Sequence, residues 1–228
     1  MNTKRDIAVD DSSTLGEEDQ GRTNQGRVSE TRELAPGSTS PSSQRSLSQA
    51  IDLVLAENLT VLEQIDHESI AELAEAIVAT KRVFVAGEGR SGLAIRMVAM
   101  RLMHLGCNVH VLGETTTPAL QPGDLLIAFS GSGKTGIVTM VAATAKSVGA
   151  RVAAVTTQPE SPLGKTADLL VKIEAPAKHD HSAKRSKQFA GSLFEQAALL
   201  LFDALFFVLS SRLDKSPESL WKMHVNVE

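Results

Sequence analysis

One acid sits where a general base could work. Glu195 lies in the stretch Leu193-Phe194-Glu195-Gln196-Ala197-Ala198-Leu199, an otherwise very apolar run with helical character. A carboxylate held at the edge of an apolar helix can take a proton from carbon. It can equally do no more than favour the helix N-terminus electrostatically. Two glycine-rich stretches supply the complementary function of gripping an anion. The first is Gly87-Glu88-Gly89-Arg90-Ser91-Gly92, in which Gly89, Arg90 and Ser91 are anion-binding types. The second is Ser130-Gly131-Ser132-Gly133-Lys134-Thr135. Glycines let backbone N–H groups approach an anion, and a helix opening after such a loop adds partial positive charge. The hydroxyls of Ser130, Ser132 and Thr135 and the ammonium of Lys134 add donors, and a phosphate monoester suits that set.

Both loops have rival readings. The first matches G-x-G-x-x-G, with Glu114 near the place of a ribose-binding acid, so a dinucleotide fold competes. Against it, Arg90 and Ser91 can bind a small anion directly, and no second domain for a hydride acceptor is evident. Gly-Lys-Thr in the second loop suggests a nucleotide-binding P-loop. That motif needs a glycine at position 128, where Ala128 stands. A third stretch, Gly113-Glu114-Thr115-Thr116-Thr117-Pro118, reads as a capping turn or as the lining of a polyol pocket through Thr115 and Thr116; the residues alone favour neither.

Histidines extend the inventory. His224, in Trp221-Lys222-Met223-His224-Val225-Asn226, can move protons between sugar oxygens near neutral pH, or be a solvated residue near the chain end. His104, between Met103 and Leu105, reads as a core or interface histidine. His179 and His181 have the H-x-H spacing of metal ligands, but Lys178, Lys184, Arg185 and Lys187 crowd them with positive charge, so no metal is expected. That segment reads as a solvated loop or as a basic loop attracting anions. Met97, Met100 and Met103 read as core or subunit-interface packing.

Particular elements must hold these residues. Short apolar runs at 83–86, 109–112, 125–129, 152–155 and 169–173 alternate with helical segments at about 91–105, 135–148 and 162–167. Near-continuous apolar strands alternating with helices predict a parallel sheet covered on both faces. Gly106 and Gly149 stand where helix-ending glycines belong. A long helix over about 192–213 follows, with Phe194, Leu201, Leu205 and Leu209 facing the sheet, then a short one after Pro217. Upstream, Leu47, Ile51, Leu55, Leu59 and Leu62 mark one helical face, and Ile70, Leu73 and Ile77 a second helix. In open α/β folds ligands bind beyond the strands' carboxyl ends, where the polar loops fall.

Composition narrows the classes further. The 228 residues suit one domain with an appendage, and 42% of them are hydrophobic. Residues 1–45 are polar and poor in large aliphatics, which predicts a disordered extension, leaving 46–228 as the domain. Aromatics make up 4%, Tyr is absent and the net charge is −4, which argues against nucleic acid and anionic membrane as partners. A single cysteine, Cys107, excludes an internal disulfide and suits a reducing cytoplasm. No apolar leader opens the chain, and the apolar run 197–209, interrupted by Asp203, reads as too short to span a bilayer.

The stretches GEGRSGL, AMRLMHLGCNV, GETTTPAL, SGSGKT and GSLFEQAALLLFDAL together resemble the 6-phospho-3-hexuloisomerase branch of the SIS (sugar isomerase) family. The resemblance spans residues 47–228. It implies a doubly wound, flavodoxin-like five-stranded parallel sheet and a homotetramer, with a dimer as the alternative. It implies conversion of D-arabino-3-hexulose 6-phosphate to D-fructose 6-phosphate, after a hexulose-6-phosphate synthase in formaldehyde fixation through ribulose monophosphate. No cofactor is implied. Glu195 becomes the expected base, and His224 a second catalytic residue that reaches a site in its own or a neighbouring subunit. Two readings compete with it: another aldose–ketose isomerase, such as one acting on arabinose 5-phosphate, and a non-catalytic sugar-phosphate sensor. The stretch Gln188-Phe189-Ala190-Gly191 departs from the Pro-Met-Gly usual there, which implies a reshaped pocket wall.

Overall fold

The computed structural model describes residues 41–176, 178, 186–224 and 226–227, with side chains from Ser46 onward. The extension expected at 1–45 falls outside these residues up to position 40, as does the His179–His181 segment with Lys184 and Arg185.

Two helices come first, α1 (Pro41–Leu62) and α2 (His67–Ala79). Asp66 starts α2 by accepting from the Glu68 and Ser69 N–H groups, satisfying donors that have no partner inside the helix. The alternating part then runs β1 (Val83–Gly87), α3 (Gly89–His104), β2 (Val109–Val111), β3 (Leu125–Phe129), α4 (Gly136–Ser147), β4 (Arg151–Thr156), α5 (Pro162–Thr166) and β5 (Leu169–Lys172). The chain ends with α6 (Ser192–Arg212) and α7 (Pro217–Trp221). All five strands are parallel, in the order β2-β1-β3-β4-β5. This is the doubly wound α/β sheet expected.

Strand alternation divides the core. Val83, Val85, Leu125, Ile127, Ala153 and Val155 face the layer formed by α2, α3 and α6. Phe84, Ala86, Leu126, Ala128, Val152 and Ala154 face α4 and α5. Burial on both faces explains the continuous apolar runs in the sequence. Gly106 (φ 90°) and Gly149 (φ 82°) take the left-handed conformation just past α3 and α4, as helix-ending glycines do.

Two elements differ from expectation in what they face. The α1 stripe is exposed over most of its length: Leu47, Ile51, Leu55 and Leu59 are 64%, 50%, 62% and 58% accessible, and only Leu62, at its end, packs against the core. Asn58, Val61 and Ile65 are the buried residues of this region instead. Periodicity identified a face of the helix, but the layer α1 rests on took the other one. Helix α6 outruns the apolar stretch 197–209 and, at 21 residues, is long and apolar enough to cross a membrane by length and composition. Its Phe194, Leu201, Leu205 and Leu209 are buried in the core, the behaviour of a central helix in a folded domain.

Strand order reverses between β1 and β3. Register pairs Val83 with Leu125 through to Gly87 with Phe129, so the loops after these strands leave the sheet side by side. Such a switch point is the crevice where open α/β sheets take ligands. Helix α3 starts pressed against β1: a side chain at Gly92 would begin 2.7 Å from the Gly87 carbonyl oxygen. Backbone meets backbone there, so neither side can yield cheaply. Gly92→Ala is expected to cost roughly 1–3 kcal/mol and to lower the thermal midpoint by several degrees. An unchanged midpoint in a thermal melt would show that the strand and helix separate freely.

Candidate active site

The loop after β1 is the first wall. Gly89 has φ 58° and opens α3. Glu88 is the N-cap residue, yet its side chain makes no capping hydrogen bond, so nothing from that side chain occupies the first N–H groups of α3.

The loop after β3 is fixed from behind. The Gly131 carbonyl accepts from the Thr157 N–H (3.1 Å), the Thr157 hydroxyl (2.9 Å) and the Thr156 hydroxyl (3.2 Å). In a planar trans peptide the N–H points opposite to the C=O. Turning the Gly131 carbonyl towards Thr156 and Thr157 therefore turns the Ser132 N–H the opposite way. Gly133 makes the turn at φ 60°, and a side chain there would start 1.9 Å from the Ser161 hydroxyl. The Gly133 carbonyl accepts from the Leu163 N–H at 3.1 Å, and Ser130 Oγ lies 2.9 Å from Thr135 Oγ1. Thr135, the N-cap of α4, provides no side-chain cap.

The third wall is the start of α6. Its N-cap is Gly191 at φ 83°, again without a side-chain cap, preceded by Ala190 at φ 50°. Phe194 packs beneath the second loop, 3.1 Å from where a Gly131 side chain would start. Glu195, one turn into the helix, has a side chain only 12% accessible and forms an ion pair with Arg90 Nε. The Arg90 side chain itself is 64% accessible, leaving it free to turn towards a ligand.

These walls enclose a cavity of about 440 Å³, a size that takes a small polar metabolite. Three helix N-termini without side-chain caps meet at it: α3, α4 and α6. Helices α2, α5 and α7, which begin elsewhere, are capped by Asp66, Ser161 and Ser216. Uncapped N-termini carry N–H donors without a helical partner and partial positive charge; in α6 two of these, on Ser192 and Phe194, bond to the Phe189 and Gly191 carbonyls. The arrangement has the donors an anion would need, beside the largely buried carboxylate of Glu195.

The structure brings together Gly89, Arg90, Ser91, Ser130, Gly131, Ser132, Thr135 and Glu195 around this cavity. Gly133 and Lys134 do not line it; Gly133 shapes the turn. Thr115 and Thr116 do not line it either. Thr116 borders a separate hollow beside Arg96, His110 and Glu114. Glu114, the acid of the dinucleotide reading, is paired there with Arg96 at 2.6 Å. His224 also lies elsewhere, its ring stacked on Trp221 (5.0 Å) and on His104 (5.5 Å). His104 is the last residue of α3, whereas the cavity is at its first. At 1.5 Å per residue the two ends are roughly 22 Å apart. Burial, then the charges of Arg101 and His224, push the His104 imidazolium to titrate below its usual range. Met97 and Met100, at 55% and 57% accessible, belong to the protomer's surface and not its core.

Pro176 and Ser192 also line the cavity, and nothing in the sequence singled them out. Lys178, from the basic segment read as a solvated loop or as one attracting anions, lines it too. The altered stretch 188–191 does form a wall here through Phe189, Ala190 and Gly191, with Phe189 85% accessible at the rim. Ser132→Ala removes a hydroxyl from the anion's surroundings. A hydrogen bond to a charged group is worth about 1.5–3 kcal/mol, so calorimetric titration with a sugar phosphate should show affinity reduced about tenfold or more. Equal affinity would place the phosphate away from this loop.

Comparison with known proteins matches the SIS domain model to residues 76–201. A Mycobacterium gastri protein named 3-hexulose-6-phosphate isomerase is 51% identical over 178 residues, 78% of this chain and 89% of that one. A Bacillus subtilis (strain 168) protein of the same name is 42% identical over 165 residues, 72% of this chain and 89% of its own length. A Methanococcus jannaschii crystal structure, from which a 3-hexulose-6-phosphate isomerase function was inferred, superposes with a TM-score of 0.69 at 32% identity, covering 79% of this chain and 99% of that one. Sheet order, the loops at its switch point and these relatives agree: the chain belongs to the SIS domain family.

Proposed function

We propose that this chain is a ketose-phosphate isomerase that converts D-arabino-3-hexulose 6-phosphate to D-fructose 6-phosphate. The observation that carries the reading is Glu195: a carboxylate at the wall of a cavity ringed by uncapped helix N-termini, in a chain 51% identical to a protein named for this reaction. Moving the carbonyl from C3 to C2 needs the C2 proton removed and a proton delivered to C3. Glu195 takes the first, leaving an enediolate across C2 and C3, and returns it to C3. The proton on O2 passes to O3 as the new carbonyl forms. Arg90, beside Glu195, is the cation placed to meet negative charge on the enediolate oxygens. The serine-rich loop holds the phosphate away from the reacting carbons, so its binding energy orients the sugar.

The same reading takes residues 46–228 as the catalytic domain and 1–45 as an extension. It places the protein in the cytoplasm, where an aldol-type synthase joining formaldehyde to ribulose 5-phosphate supplies the substrate. A homotetramer is the expected assembly. The exposed apolar faces of α1 and of α3, the latter with Leu93, Met97 and Met100, support self-association. His224 lies too far from the cavity of its own protomer to act there, so it would serve a neighbour's.

Two measurements test this. With ribulose 5-phosphate, formaldehyde and the synthase supplied, the wild-type chain should form fructose 6-phosphate. Glu195→Gln should lower kcat by about 10²–10⁴ with little change in sugar-phosphate affinity. A folded wild type that makes no product would remove the reaction, and a Gln variant at wild-type rate would remove the base. For the shared site, Glu195→Gln and His224→Ala subunits are mixed after each is shown to be weak alone. Hybrid two-fold pairs regain one intact site in two, about a quarter of full activity in a statistical mixture. No recovery in demonstrated hybrids would confine His224 to its own subunit or to structure.

A further inference from the structure

The segment entering α6 is tied to α1 by one side chain. Glu57 accepts from the Ser186 hydroxyl (2.6 Å), the Lys187 N–H (2.9 Å) and the Gln188 side-chain amide (3.1 Å), and the Gln188 N–H donates to Ser186 Oγ at 3.0 Å. Phe189, Ala190 and Gly191 follow at once and line the cavity. Ala190 and Gly191 are both left-handed, at φ 50° and 83°. An alanine holds that conformation only where its surroundings impose it. Ahead, the surroundings are the start of α6, where the Ser192 N–H reaches the Phe189 carbonyl (3.1 Å) and the Phe194 N–H the Gly191 carbonyl (3.0 Å). Behind, they are the bonds to Glu57.

The next residue of α1 holds the other side. Buried Asn58 donates from Nδ2 to Gln196 Oε1 and to the Val54 carbonyl, both at 2.8 Å, and Gln196 adjoins Glu195. Adjacent residues of α1 thus grip the wall before the base and the residue after it. We propose that Glu57 is a positioning residue for the isomerase reaction: from α1 it fixes residues 186–188, hence the wall 189–191 and the first turn that carries Glu195. The proposal deepens the isomerase reading and rests on it. Three donors on one group require a side chain that only accepts, which an ionised carboxylate is. Burial pushes the Glu57 carboxyl up, but the bonds from Ser186, Lys187 and Gln188 and the charge of Lys187 outweigh it. They hold the group below the usual carboxylate range, and so ionised at neutral pH.

The test compares wild type with Glu57→Ala and Glu57→Gln in the full chain. Misplacing a catalytic group by about an ångström can cost about a hundredfold. Glu57→Ala should therefore lose ten- to a hundredfold in kcat, more than it changes KM, with the thermal midpoint within a few degrees of wild type. Glu57→Gln should recover part of the loss, since its carbonyl oxygen can still take the Lys187 N–H. A second readout needs no catalysis: trypsin cleavage after Lys187, mapped by mass spectrometry, should be faster in Glu57→Ala. Wild-type kcat in a folded Glu57→Ala, or unchanged cleavage after Lys187, would overturn the anchor. A wild-type chain that makes no fructose 6-phosphate would instead overturn the isomerase reading while the cleavage still reports on the anchor.

Discussion

A parallel sheet places the carboxyl ends of all its strands, and the starts of the helices that follow them, along one edge. Every such helix begins with N–H groups that have no partner within it. Here α3 and α4 both begin without a side-chain cap beside the β1–β3 switch point, and α6 arrives at the same place with a glycine at its own start. Helices α2, α5 and α7, by contrast, are capped by aspartate or serine. A cap is typically worth about 1 kcal/mol. Leaving three off together, around one cavity, forgoes local stability at a place where, on the proposed function, a phosphate would find donors already in position.

That constraint explains the glycines that matter. A backbone donor is useful only if the ligand can reach it, and only if its carbonyl is turned away. Gly131 achieves the second through three donors from Thr156 and Thr157. Gly92 lets α3 begin in contact with β1, which brings the helix start to the strand end. Positive charge collected at one edge also needs an answer when no substrate is bound. Within the chain, that answer is the Arg90–Glu195 pair. On the proposed function, an incoming phosphosugar would bring its own negative charge to the same donors, so the ligand would compete for the cation paired with Glu195.

The sheet was legible because its central strands β1, β3 and β4 are buried on both faces, and the observed boundaries fall within about two residues of those read from the sequence. The β1 and β3 loops were legible as anion sites because glycine, hydroxyl and cation recur there after a strand. Their internal division was not. Gly131 lines the cavity, against the Phe194 ring, and Gly133 does not: it turns at φ 60° with Ser161 and Thr156 behind it. The α1 stripe shows a similar limit. Spacing reveals which residues share a face, whereas what covers that face depends on the neighbouring layer. Glu57 was invisible for another reason. An acid on an amphipathic helix reads as solvated, and its partners lie about 130 residues away in the chain.

Helix α3 connects the cavity to the histidine pair at the helix's other end. Its first turn belongs to the cavity and its last residue, His104, stacks on His224, with Leu93, Met97 and Met100 exposed between them. A two-fold axis crossing that apolar face would run the α3 helices of two copies in opposite directions. The His104 and His224 end of each copy would then lie towards the Gly89 end of the other. Burying the methionines and completing the proton path would be one event, and the roughly 22 Å that separates His224 from its own cavity would be the measure of a neighbour's reach. On this arrangement a substitution in the α3 face acts on catalysis without touching substrate, through the fraction of sites that have a partner.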